Sequence, residues 1–200
     1  MAGCRLFATI TTEAGLSRLS RTATLLSIDQ ASLKTGYACF DGTDLMKWDL
    51  ITLPQSVPSS QRIIEMTHQI EVVIQKYRPK LIVFEDVQVQ RDARAALMLA
   101  RLQGLIMGLC DRYNTPYEII SPTTWRKMLG FKQGRGVSRQ ELKEQAVSFV
   151  RNGYGIVVGE DICEAICIGL AHLKDLGLLP NLDELKRAKR KDDCKENNNE

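Results

Sequence analysis

The sequence predicts an α/β fold, a mixed five-stranded sheet flanked by helices, and three observations carry the prediction. Five short apolar runs have the length of strands, five other segments have helical character, and strands come first before helices and strands alternate.

The elements follow in chain order. Thr24 to Ile28 is a short apolar run ending at Asp29, which suits a buried strand. Thr35 to Phe40 and Leu45 to Leu53 read as the second and third strands, joined by a turn at Asp41-Gly42. Ile63, Met66, Ile70, Val73, Ile74 and Tyr77 recur at helical spacing, so an amphipathic helix is expected from about Ser60 to Tyr77, closed by Pro79. Leu81 to Phe84 forms a fourth, buried strand that delivers Glu85. An Ala- and Leu-rich helix is expected from Ala93 to Cys110, then a fifth strand at Tyr117 to Ile120. Helices resume after Pro122, after Ser138 and from Glu160 to about Leu176, with Ser138 and Glu141 forming a capping box.

Composition bounds what the chain does. Its 200 residues suffice for one core, and 44% apolar with 26% charged residues is the balance of a globular protein. The net charge is +3, but residues 121–151 alone carry seven Lys/Arg against two acids. Such a local excess points to an anionic partner more than to a solvated face. The six cysteines contain no C-x-x-C pair, and Cys163 and Cys167 sit in an apolar helical run. They read as reduced, buried thiols of a cytoplasmic protein, not as zinc ligands or disulfides. No run reaches about 18 consecutive apolar residues, so no membrane partner is expected. Residues 1–22 read as a flexible N-terminal extension; their Ser, Thr and Arg content also fits a transit peptide, the weaker reading. Residues 23–180 form the folded domain, and 181–200 a charged disordered tail.

The chemistry lies in the carboxylates. Asp29 and Glu85 each follow a buried strand, where an α/β sheet presents functional groups. Asp161 and Glu164 stand three apart near the start of a helix and share one of its faces. Singly, each suits a turn, a strand end or a helix N-terminus. Converging without a cation they would repel one another, and a divalent metal with oxygen ligands resolves the conflict.

Three segments carry a family resemblance. Ser27-Ile-Asp-Gln-Ala-Ser-Leu-Lys-Thr-Gly-Tyr37, Ile82-Val-Phe-Glu-Asp-Val87 and Glu160-Asp-Ile-Cys-Glu-Ala-Ile166 resemble, in order and spacing, the three acidic motifs of the RuvC Holliday-junction resolvases. The resemblance covers roughly residues 24 to 175. It implies an RNase H-like fold and a homodimeric, Mg²⁺-dependent endonuclease for branched double-stranded DNA, with Mn²⁺ able to substitute. Asp29, Glu85, Asp161 and Glu164 would be both the catalytic residues and the metal ligands. Two ions about 3.5–4 Å apart would activate water and stabilise the leaving oxygen. The chain departs from the family's pattern in places. Glu164 stands where Asp is usual, the Gly of the first turn is replaced in Asp29-Gln-Ala-Ser32, and Gln88 stands where some cellular members carry a junction-opening aromatic. These departures suit a phage or mobile-element relative.

The basic stretch is then the DNA-facing wall. Arg126, Lys127, Lys132, Arg135, Arg139 and Lys143 are expected at phosphates, with Arg91 and Arg94 as secondary candidates. Gly130, Gly134 and Gly136 would let a loop follow the DNA backbone. Trp125 either stacks on a base or anchors its helix, and we read it as an anchor. His68 and His172 read as structural. The surplus of apolar residues on the Ala93–Cys110 helix, with Gly104 and Gly108, suggests a dimer interface. Two other classes fit parts of the sequence. Asp29 with Thr35-Gly36 also resembles the phosphate turn of actin-like ATPases, for which the chain is too short, and a non-catalytic DNA-binding module follows if the acids do not converge.

Overall fold

The computed structural model describes residues 22–88 and 92–179. The N-terminal extension, the charged tail and Arg91 lie outside the described residues, apart from position 22 of the former.

Strands β1 (Leu25–Asp29), β2 (Lys34–Asp41) and β3 (Asp44–Thr52) form an antiparallel meander. Gly42 makes its second turn with φ 59°, where a side chain would be strained. After helix α1 (Ser59–Tyr77), β4 (Leu81–Glu85) pairs parallel to β1; after α2 (Ala93–Arg112), β5 (Tyr117–Ile120) pairs parallel to β4. The sheet order is β3-β2-β1-β4-β5, a mixed five-stranded sheet as expected. Helices α3 (Pro122–Met128), α4 (Arg139–Tyr154) and α5 (Glu160–Asp175) complete the described chain.

Local chemistry accounts for the boundaries. Arg78 adopts a left-handed conformation at the end of α1, directly before Pro79, which disfavours a helical neighbour on its N-terminal side. Asp92 caps α2 through the amides of Arg94 and Ala95, and Ser121 caps α3, with Pro122 in its first turn. Ser138 and Glu141 form the expected capping box on α4.

The sheet separates two cores, and strand alternation decides which side chain faces which. Leu26, Ile28, Cys39, Ile82 and Phe84 pack against Ile63, Met66 and Ile70 of α1 and Leu102 and Ile106 of α2. Leu25, Ala38, Phe40 and Val83 face Trp125 of α3, Ala146 and Val150 of α4 and the apolar length of α5. Side chains alternate across a strand, so Asp29 shares the face of Leu25 and Ser27, and Glu85 that of Val83. Both acids therefore emerge on the side that α5 covers.

Two glycines let α5 lie close. Gly36, paired across the ladder with Asp29, sits so near the first turn of α5 that an added Cβ would come within 2.5 Å of the Asp161 carbonyl carbon. A Cβ on Gly169 would stand 2.8 Å from Ser27 Oγ and 2.9 Å from Phe40 Cζ. Between these points Ser27 Oγ donates to the Ala165 carbonyl at 2.7 Å. The start of α5 is thus seated directly over the end of β1.

Cys39, Cys110, Cys163 and Cys167 are free and buried. Helix α2 has the length and apolarity to cross a membrane, but Ala96, Leu102, Ile106, Leu109 and Cys110 are buried within the fold.

Candidate active site

The seating of α5 brings three acids together. Asp29, Asp161 and Glu164 each offer a carboxylate oxygen, and the three oxygens lie within 4.8 Å of one another. They occupy a cleft of about 1110 Å³ whose lining includes Glu85, Gln30, Gln88, Leu99, Arg126, Arg139 and Lys143. An all-oxygen donor set at this spacing fits a hard divalent cation. The electrostatics agree with that fit. Burial, then Glu164, Glu85 and Asp161, push the Asp29 carboxyl well above the usual carboxylate range.

Glu85 lines the same cleft without joining the close trio. Its Oε1 accepts a hydrogen bond from Trp125 Nε1 at 2.7 Å and stands 3.9 Å from Arg126 Nη2. Burial raises the Glu85 pKa, against the opposing pull of the Trp125 bond and the Arg126 charge. Trp125 itself is fully buried, as an anchor should be, and its indole also holds the Glu85 carboxylate. The sequence carries no signal for that second role, since residues 85 and 125 meet only in three dimensions.

The basic residues divide into two groups. Arg126 turns inward: its guanidinium lies over the Trp125 ring at 4.7 Å and pairs with Glu164 Oε1 at 3.1 Å. Its placement differs from an outward phosphate wall because the carboxylates attract it from below. Lys143 is 2.9 Å from Glu160 Oε2 and 3.7 Å from Asp161 Oδ1. Burial works against its ammonium, but Glu160, Glu164 and Asp161 together carry its pKa upward. Arg139 is exposed on the cleft wall. Lys127, Lys132, Arg135 and Arg94 are exposed and lie outside the cleft lining.

Lys132 and Arg135 belong to the α3–α4 loop. Gly130, Gly134 and Gly136 all have positive φ there, and Gln145 clamps the Lys132 peptide through both polar atoms of its amide, at 2.7 and 3.1 Å. Gln88 is exposed at the cleft. His68 is exposed on α1, and His172 is buried with Nδ1 3.1 Å from Glu118 Oε2. Neither lines the cleft.

Comparison with known proteins identifies the family. Residues 25–172 match the family model described as crossover junction endodeoxyribonuclease RuvC. The chain is 25% identical over 157 residues to the RuvC of Chlorobium phaeobacteroides, covering 76% of this chain and 82% of that one. It is 21% identical over 152 residues to the RuvC of Dehalococcoides mccartyi, covering 74% and 90%. Among solved structures it is similar to Thermus thermophilus RuvC in complex with a Holliday junction substrate. That TM-score is 0.59 at 15% identity, covering 74% of this chain and 90% of the other. The yeast mitochondrial Holliday junction resolvase gives a TM-score of 0.52 at 14% identity, with 86% of each chain covered. The likenesses between structures establish the RNase H-like fold. The family match spans all five strands and the Asp161–Glu164 pair of α5, and the chain belongs to the crossover junction endodeoxyribonuclease RuvC family.

Proposed function

We propose that this protein is a Mg²⁺-dependent endonuclease that cleaves phosphodiester bonds in branched double-stranded DNA, resolving four-way junctions in the cytoplasm. The observation that carries this reading is the trio of carboxylate oxygens within 4.8 Å at the floor of a cleft with cationic walls.

Asp29, Asp161 and Glu164 would hold the metal, and Glu85 would complete the set from the end of the neighbouring parallel strand β4. A bound Mg²⁺ supplies water activation and charge neutralisation at the phosphate, and Mn²⁺ has the same ligand preferences. The chain's own side chains do the rest. Trp125 fixes one oxygen of Glu85 and leaves the other free. Arg126 and Lys143 offset the acidic charge, which lets an anionic backbone approach a site rich in carboxylates. Arg139 on the wall, with Lys127, Lys132, Arg135, Arg91 and Arg94 further out, would position the DNA through its phosphates.

Two matched cuts in a two-fold symmetric junction call for two chains, so we read the functional unit as a homodimer. The outward face of α2 supports this. Leu97 and Leu105 are 51% and 42% exposed, and nothing lies within 4 Å of a Cβ built on Gly104 or Gly108.

The test is cleavage of a synthetic four-way junction with Mg²⁺ and without ATP. Paired, metal-dependent cuts by the parent that are lost in Asp29→Asn are expected. ATP-dependent activity or metal-independent binding alone would overturn the reading.

A further inference from the structure

A sheet holds its strand ends in register only as far as its ladder runs. The parallel pairing of β1 with β4 extends from Leu25↔Leu81 to Ile28↔Phe84 and stops there. The next residues on the two strands are Asp29 and Glu85. Asp29 still pairs with Gly36 of β2 and Glu85 with Ile120 of β5, but no ladder pair joins the two acids' residues to each other.

The side chain of Gln30 bridges the gap. It is only 7% exposed. Its Nε2 donates to the Glu85 carbonyl, and its Oε1 accepts from the Glu85 N–H at 3.2 Å. One side-chain amide thus makes both bonds that a neighbouring strand's peptide would make. On the other side, Gln103 of α2 donates to the same Glu85 carbonyl at 3.0 Å. A buried amide is costly unless its donor and acceptor are both used, and here the Glu85 peptide satisfies one of each.

We propose that Gln30 is a positioning residue that extends the β1–β4 ladder by one step and so sets the separation of the Asp29 and Glu85 carboxylates. The inference rests on the metal-site reading above. Gln30 touches neither metal nor DNA in it; it acts through the Glu85 peptide.

The experiment uses the full chain carrying Gln30→Met, which keeps length and volume without hydrogen bonds, and Gln30→Asn, which keeps the amide but shortens its reach. Mn²⁺ binding without DNA is measured by calorimetry, junction binding without metal by fluorescence anisotropy, and cleavage at saturating metal in single turnover. Groups that orient metal ligands typically account for 10–100-fold in affinity or activity, so roughly tenfold weaker Mn²⁺ binding and slower cleavage are expected in both variants. Metal-free junction affinity should stay within about twofold, because the phosphate-facing cations are untouched. A merely structural Gln30 gives the opposite pattern, a lower melting temperature with parent-like Mn²⁺ affinity and cleavage rate, and would overturn the proposal. If the parent binds Mn²⁺ but does not cut junctions, the nuclease reading falls while the Mn²⁺ titration still decides the role of Gln30. If the parent binds no Mn²⁺, both fall.

Discussion

Replacing Gly36 by Ala isolates the contact that assembles the site. Gly36 sits in β2 without a positive φ, so by backbone entropy alone Ala should stabilise the protein by about 0.4–1 kcal/mol. The tertiary contact reverses that sign. The new methyl would lie 2.5 Å from the Asp161 carbonyl carbon and 3.0 Å from the Ile162 nitrogen, where ordinary contacts begin near 3.4 Å. The obstacle is helix backbone, which cannot rotate away as a side-chain tip can. The first turn of α5 must retreat by about 1 Å, at the roughly 1–3 kcal/mol that overpacking costs. For a domain of this size each kcal/mol lowers the melting temperature by about 2–4 °C. Asp161 and Glu164 move with the helix while Asp29 stays on the sheet, and a misplacement of about 1 Å can cost on the order of 10²-fold in rate. Thermal melts followed by circular dichroism and single-turnover junction cleavage well below the melting transition read the two effects separately. A Gly36→Ala protein that melts at or above the parent temperature and cleaves at the parent rate would refute the seating of α5 as the device that assembles the acids.

Other consequences are equally direct. Asp29→Asn and Glu85→Gln should abolish cleavage while junction binding holds or tightens, because removing an acid relieves repulsion of phosphate; a gel-shift and nicking assay on the same protein checks this. Without metal, the folded protein keeps a proton on the raised Asp29 carboxyl that the unfolded chain has already released. Its stability should therefore fall as pH rises from the ordinary aspartate range toward that raised value, and Mg²⁺ should offset the loss most at the alkaline end; melts in EDTA that rise steadily with pH would contradict the sign. Arg139→Ala should weaken junction binding at all sequences and reduce the salt slope by about one contact, whereas Arg126→Ala should chiefly disturb Mn²⁺ binding, since its guanidinium faces Glu164 and Glu85; a salt titration of both variants separates the roles. Leu97→Arg or Leu105→Arg should give a folded monomer that nicks without paired cuts, by sedimentation equilibrium and junction assay. These positions suit that test better than Leu99, which lines the cleft, or the half-buried Met107.

The sequence by itself determined what is periodic or local. The apolar runs of β1 and β4, helical spacing in α1 and α5, the Ser138–Glu141 capping box and the i, i+3 pair Asp161–Glu164 are each local, set within a few residues. They were legible because each element's own geometry demands them. The three acidic motifs added the family, since their order and spacing survive without coordinates. Only the tertiary structure decided which face of the sheet Asp29 and Glu85 share with α5, and that Gly36 admits the helix close enough to join them. The same holds for Trp125 on Glu85, Gln30 on the Glu85 peptide and the inward turn of Arg126, partners 38 to 55 residues apart. The physical reason is common to all of them. A contact between distant residues depends on how whole elements pack, and a tryptophan, a glutamine or an arginine has the same letter whether it fills a core, faces a phosphate or holds a carboxylate in place.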